Sequence, residues 1–98
     1  MSGSEDADAT GASTLRIDKF LWFARLAKSR SEAKAIAEAR HLRIDGRVVD
    51  RASASVRQGS VIAYPRGGRV HVLRVERLPE RRGPFTIASQ CYTDLSEH

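Results

Sequence analysis

The sequence predicts an α+β fold, with two packed N-terminal helices followed by a small antiparallel β-sheet. Three observations point to it. Apolar residues recur at helical spacing between residues 17 and 37, and the spacing changes to alternation after Arg40. Turn signals at Asp45-Gly46 and Gly67-Gly68 then separate runs of β-forming residues. A chain of 98 residues has room for one modest core, and no repeat or second domain is visible.

The two helices are predicted from an apolar stripe and a capping pattern. The first is expected over residues 18–27, where four apolar side chains share one face: Ile17, Phe20, Leu21 and Ala24. Asp18 suits the positive end of its dipole. The second is expected to begin at Ser29, because Glu32 completes the Ser-x-x-Glu pattern in which side chains and backbone amides cap each other. Small alanines let this helix lie close to the first.

Strands follow the helices. Leu42 and Ile44 alternate with polar residues, and Asp45-Gly46 before Val48-Val49 predicts a hairpin. Further strands are expected over residues 60–64, 70–75 and 85–88. Residues 15–88 should therefore form the domain. Residues 1–14 are small, polar or acidic and are expected to be a disordered tail, and residues 89–98 a C-terminal tail.

Positive charge is concentrated in the middle of the chain. All 17 Lys and Arg lie between Arg16 and Arg82, where seven acids leave a net charge of +10, against +5 for the whole sequence. Self-repulsion of this size destabilises a compact fold unless a polyanion neutralises it, so nucleic acid is the natural partner. On charge alone, an acidic protein or a membrane surface stays open as an alternative.

A basic cluster falls on the two helices, the link between them and the first hairpin. If the helices pack through their apolar stripes, these side chains line a concave face, where arginine adds a planar fork that grips phosphate. The amides that follow Ser29 add an anion site. For any single residue, a solvated surface explains the charge equally well. The cluster consists of Arg16, Lys19, Arg25, Lys28, Arg30, Lys34, Arg43 and Arg47.

The sequence offers little for catalysis, metal binding or membrane insertion. Asp18 and Glu32 are better explained as helix-start residues than as catalytic acids, because no His, Ser or Cys is placed to act with them. Cys91 is the single cysteine, and three scattered histidines give no metal-ligand spacing. No apolar run approaches the roughly 20 residues that cross a bilayer, and no secretion signal is visible. We expect a cytoplasmic, non-enzymatic protein without cofactor or metal.

Three large side chains leave an alternative open. Trp22, Phe23 and Leu26 lie off the main apolar stripe of the first helix. They either pack beneath the sheet or stack on RNA bases. Packing is favoured, because large aromatic side chains are mostly present for burial.

Three segments resemble the RNA-binding domain first recognised in small-subunit ribosomal protein S-four: RIDKFL at 16–21, SRSEA at 29–33 and LRIDGR at 42–47. LWFAR at 21–25 and KSR at 28–30 are similar to the stand-alone heat-shock branch of that family. The resemblance covers about residues 15–78. It implies two helices and a small antiparallel sheet, with RNA held on the helical face by Arg16, Lys19, Lys28, Ser29, Arg30, Lys34, Arg43 and Arg47. One departure is Arg40, which stands where the family usually has glycine.

The resemblance to the heat-shock branch also implies a function. Members of that branch bind free large ribosomal subunits that still carry nascent chain and peptidyl-tRNA, and assist their rescue in translation quality control. The expected partner is ribosomal RNA of the large subunit, with transfer RNA as a further candidate. We expect no membrane partner, and a monomer when the protein is free.

Two other functions compete with this one. The chain could be an RNA-targeting module that acts with a separately encoded enzyme, either a pseudouridine synthase or a methyltransferase. A DNA-binding protein is less favoured, because no helix-turn-helix spacing with a glycine turn appears.

Overall fold

The computed structural model describes residues 14–96, so nearly all of the predicted tail at 1–14 lies outside the described residues. The fold is α+β with antiparallel sheets, as predicted. The helical part comprises β1 (Leu15–Arg16), α1 (Ile17–Phe23) and α2 (Arg30–Glu38). The strands that follow are β2 (Leu42–Ile44), β3 (Arg47–Val49), β4 (Ser55–Val56), β5 (Val61–Arg66) and β6 (Arg69–Val75). The chain continues through α3 (Phe85–Ala88) and a 3-10 turn (Ser89–Cys91) into β7 (Tyr92–Asp94).

The second helix starts as predicted. Ser29 has an extended backbone, and its Oγ accepts a hydrogen bond from the Glu32 amide at 3.0 Å. Glu32 in turn accepts from the Lys28 amide at 2.6 Å, one residue before the N-cap. The Ser29 side chain therefore satisfies one of the amides that the start of a helix leaves without partners, and Glu32 satisfies the amide of the residue before the N-cap.

The first helix ends earlier than predicted, at Phe23 instead of residue 27. Arg25 adopts a left-handed backbone with φ of 61°. The Arg25 amide bonds to the Trp22 carbonyl at 3.1 Å, and the Leu26 amide to the Leu21 carbonyl at 2.8 Å. This pair of bonds is the Schellman end of a helix, in which the left-handed residue is usually glycine. The turn redirects Leu26 into the core, where it is 9% exposed.

The main sheet has five antiparallel strands in the order β3-β2-β5-β6-β7. The hairpin turns fall where the sequence placed them, with positive φ at Asp45 and Gly46 and at Gly67 and Gly68. A second sheet is formed by β1 and β4, with Leu15 opposite Val56. This short pairing ties the start of α1 to the chain that follows β3.

The C-terminal part differs from the prediction. Residues 85–88, predicted as a strand, form α3, in which the Ala88 amide bonds to the Pro84 carbonyl at 2.9 Å. Phe85 and Ile87 are more than half exposed there. The edge of β6 is instead occupied by residues 92–94, which were expected to belong to a tail. Val75 pairs with Tyr92, so β7 completes the sheet.

The core lies where α1 and α2 pack on each other and on the sheet. Ile17, Phe20 and Leu21 of α1 are fully buried, as are Ala33 and Ala37 of α2. The small alanines allow α2 to lie close to α1, as the sequence predicts. Among residues 14–96 no helix has the length and hydrophobicity needed to cross a bilayer.

Candidate nucleic-acid interface

Arg16 is held in place by Asp18. Its Nε and one terminal nitrogen each donate to a carboxylate oxygen at 3.0 Å, which is a bidentate fork. Oδ1 of Asp18 also accepts from the Lys19 amide at 2.8 Å. Asp18 is 8% exposed, whereas the Arg16 side chain is 49% exposed. The buried carboxylate therefore orients Arg16 at the start of α1 and leaves its other N–H donors turned to solvent.

Arg30, the first residue of α2, lies against the first helix. Its guanidinium carbon is 5.6 Å from the centroid of the Trp22 ring, within cation–π distance. Arg82, from the chain between β6 and α3, lies 5.5 Å from the same ring. Nε of Arg82 also donates to the Trp22 carbonyl at 3.2 Å. We call Trp22, Arg30 and Arg82 the helix junction.

The segment at 78–83 runs along one face of α1. Nε of Arg25 donates to the Gly83 carbonyl at 2.6 Å. Lys19 and Phe23 line a hollow with Leu78, Pro79 and Glu80. Since Lys19, Trp22 and Phe23 are three and four residues apart, they share a helix face, and that face is turned towards this segment. Lys19 is half-buried as a result.

The hairpin carries the remaining predicted contacts. Arg43 on β2 donates from one terminal nitrogen to the Gly46 carbonyl at 3.3 Å, across the turn. Arg47 on β3 lines an open groove of about 710 Å³ with two further arginines, Arg51 and Arg57. Two acids, Asp45 and Asp50, line the same groove, so its charge is mixed.

Lys28, Ser29 and Lys34 complete the set of predicted contacts. All three are exposed. Lys34 lies one helical turn after Arg30, so the two side chains share a face of α2. In the described part of the chain, neither lysine side chain has a hydrogen bond or salt bridge, which leaves both ammonium groups available to an anion. Ser29 contributes the helix cap described above.

Burial perturbs two titratable groups of the core. Cys91 is 1% exposed, and burial raises the pKa of its thiol, the opposite of an activated cysteine. Burial also raises the pKa of Tyr64, whose ring stacks on His71 with centroids 5.6 Å apart. Within residues 14–96 no group of three or more His, Cys, Asp or Glu could hold a metal ion.

Sequence reasoning identified the basic residues but missed what orients them. The sequence predicted only that Asp18 interacts with the dipole of the first helix. Its carboxylate also accepts two hydrogen bonds from the Arg16 guanidinium. The position of Arg82 could not be predicted, because 60 residues separate it from Trp22. The structure joins Arg25 to Gly83 and places Arg30 on the same ring as Arg82, whereas Arg43 and Arg47 lie on the hairpin.

Comparisons with known proteins agree with this fold. Residues 15–62 match the S4 domain family. The chain is 33% identical over 86 residues to the RQC P-site tRNA stabilizing factor of Listeria innocua and 31% identical over 86 residues to that of Listeria monocytogenes. Each alignment covers 88% of this chain and 91% of the relative. The trimeric crystal structure of heat shock protein 15 from Vibrio cholerae superposes with a TM-score of 0.77 at 29% identity, covering 85% of this chain and 83% of that one. The chain therefore belongs to the S4 domain family, together with the Listeria factors and heat shock protein 15.

Proposed function

We propose that this chain is a non-catalytic, cytoplasmic RNA-binding protein that binds ribosomal RNA of the large ribosomal subunit. There it acts in the rescue of stalled subunits that carry nascent chain and peptidyl-tRNA. One observation carries the proposal: where α1 and α2 of an S4 fold meet, arginine side chains are oriented by the fold and keep donors for an anion. The proposed RNA contacts are Arg16, Lys19, Arg25, Lys28, Ser29, Arg30, Lys34, Arg43 and Arg47.

Binding is achieved by positioning and electrostatics. A guanidinium oriented in advance loses little conformational entropy when it grips a phosphate, and its planar fork matches two phosphate oxygens. Arg16 is oriented by Asp18 and Arg30 by Trp22. Lys28 and Lys34 add point charges on the exposed side of α2. RNA is read through its shape and its backbone, which suits a surface of this kind.

The relatives support the ribosomal target. The names of the Listeria proteins refer to ribosome quality control and to a tRNA in the P site. A protein that contacts ribosomal RNA beside such a tRNA needs cations that reach two RNA backbones. The helical cations and the hairpin arginines Arg43 and Arg47 provide two such groups.

Binding to large-subunit RNA at several salt concentrations tests the electrostatic part. With six or more phosphate contacts, affinity should fall by about a thousandfold or more between 50 and 200 mM salt. Replacing Arg16, Lys19 and Arg30 together with alanine should abolish binding without changing the circular dichroism spectrum. Unchanged affinity across this salt range, or full binding by the triple variant, would contradict the proposal.

A matched control removes the same charge from the sheet. Arg69, Arg74 and Arg77 lie on β6 or two residues beyond its end, and all three are exposed. Their triple alanine variant has the same net charge as the helical variant. If binding depends on where the positive charges lie and not only on their number, this control variant should retain most of its affinity for large-subunit RNA.

Sedimentation of cell extract after translation arrest tests the ribosomal target. The protein should travel with free large subunits that carry peptidyl-tRNA, and the helical triple variant should stay at the top of the gradient. Migration with small subunits, or with a separate RNA-modifying enzyme, would refute the assignment to the large subunit.

We also propose that the free chain is a monomer. The net charge of +10 between Arg16 and Arg82 opposes self-association in the absence of a polyanion. The Vibrio protein crystallised as a trimer. Light scattering at physiological salt distinguishes the two states, and a trimeric mass would refute this part.

A further inference from the structure

The helix junction contains a feature that the predicted contact set does not use. Trp22 is half-buried, and two guanidinium groups lie within 6 Å of its ring centroid. One belongs to Arg30 at the start of α2, and the other to Arg82, which is far away in sequence. The two guanidinium carbons cannot be farther apart than twice that distance. They therefore form a local pair of positive charges.

Both guanidinium groups are held beside the ring by the fold. On the Arg82 side there are three contacts. Nε of Arg82 bonds to the Trp22 carbonyl, Nε of Arg25 bonds to the neighbouring Gly83 carbonyl, and Leu78 packs against the core. On the other side, Arg30 is fixed by the cap at Ser29. The aromatic ring that both guanidinium groups lie against attracts each of them.

The pair keeps free donors. Among residues 14–96 the Arg30 side chain has no hydrogen bond or salt bridge, and Arg82 uses only Nε. The terminal nitrogens of both guanidinium groups are therefore available to an acceptor. In the described part of the chain, no carboxylate forms a salt bridge with either arginine.

We propose that the helix junction is a preorganised phosphate-binding unit, in which Arg82 contacts the RNA backbone together with Arg30 and Trp22 acts as the positioning residue for both. This rests on the proposed function and adds to it a contact from outside the region that matches the S4 domain, residues 15–62. Under this proposal Trp22, which packs against the core, positions two cations and does not stack on a base.

Arg82→Ala tests the contact, with Arg69→Ala as the matched control. Arg69 is exposed on β6 and carries the same charge. Arg82→Ala should weaken binding of large-subunit RNA roughly tenfold at low salt. It should also reduce the slope of log affinity against log salt by about 0.7 to 0.9, the loss of one phosphate contact. Arg69→Ala should change neither quantity by a comparable amount.

Trp22→Leu and Trp22→Phe test the positioning role. Leucine keeps an apolar side chain of smaller volume and removes the aromatic face, so affinity should fall, whereas phenylalanine keeps an aromatic face and should restore most of the affinity. Combining Trp22→Leu with Arg82→Ala should weaken binding by less than the product of the two single effects, because both changes disable the same guanidinium. A residue that only packed would give independent effects, so that the combined loss equals the product of the two single losses.

Intrinsic fluorescence gives a direct readout, because Trp22 is the only tryptophan in the sequence. Its emission should change as RNA is added and should saturate with the binding curve. If Arg82→Ala binds with wild-type affinity and salt slope while the Arg16, Lys19 and Arg30 variant does not bind, the inference is wrong and the proposed function stands. If the wild-type protein does not bind RNA, both are wrong.

Discussion

Arg40 follows the C-terminal end of α2 in a strained backbone conformation. Replacing it tests how much this strain lowers the stability of the protein. Its φ is 66°, in the left-handed region, and the side chain is exposed. In the described structure this side chain has no hydrogen bond, salt bridge or ring contact. The backbone conformation is therefore the main thing that a substitution at this position changes.

The expected gain follows from two opposing terms. A residue with a Cβ loses about 1 to 2 kcal/mol in the left-handed region. Glycine avoids that loss but gives up about 0.4 to 1 kcal/mol, because it has more freedom in the unfolded chain. Arg40→Gly should therefore stabilise the protein by about 1 kcal/mol, which for a domain of this size raises Tm by roughly 4 to 8 °C.

Arg40→Ala is the matched control, because it removes the same charge and keeps the strain. Thermal unfolding followed by circular dichroism compares the two variants at the same salt and pH. The Arg40→Gly variant should have the higher melting temperature, and the Arg40→Ala variant should melt close to the wild type. Equal melting temperatures for the two variants, or a lower one for glycine, would refute the account of the helix end.

Three further outcomes follow from contacts described above. Ser29→Ala should lower the free energy of unfolding by about 1 kcal/mol in urea titrations, and Ser29→Thr by less, since threonine also caps. Arg16→Ala should cost about 1 to 3 kcal/mol, because it leaves the buried carboxylate of Asp18 without its fork, and adding Asp18→Asn should recover part of the loss. Native Cys91 should react with a thiol reagent far more slowly at neutral pH than the unfolded chain does, and equal rates would contradict its burial.

Local signals explain the part of the fold that the sequence predicted. The Ser29 cap, the Asp45-Gly46 turn and the alternation after Arg40 each depend on neighbours within four residues. The predicted end of α1 was wrong because the left-handed residue that ends this helix is an arginine, Arg25. A glycine at this position would have been recognised as a helix end. The strand β7 was missed because its pairing with β6 is a contact between distant segments.

The candidate interface was predictable in composition and not in arrangement. Residue type and helical period assign Arg16, Arg30 and Lys34 to the helical region. They do not indicate that Asp18 would accept a bidentate pair of hydrogen bonds from Arg16, or that the Arg82 guanidinium would lie against the Trp22 ring. Such contacts depend on where the chain returns after the sheet is complete, and no local pattern encodes that position.

The way in which the arginines are fixed explains how the surface can be both ordered and positive. A carboxylate orients a guanidinium and also cancels its charge, whereas a carbonyl oxygen accepts its hydrogen bond and leaves the charge in place. Four arginine side chains here donate to carbonyl oxygens of the backbone: Arg25 to Gly83, Arg43 to Gly46, Arg66 to Leu26 and Arg82 to Trp22. Only Arg16 and Arg74 have carboxylate partners in the described salt bridges. Carbonyl acceptors thus hold the geometry while the repulsion between cations remains, and that repulsion is relieved when a polyanion binds.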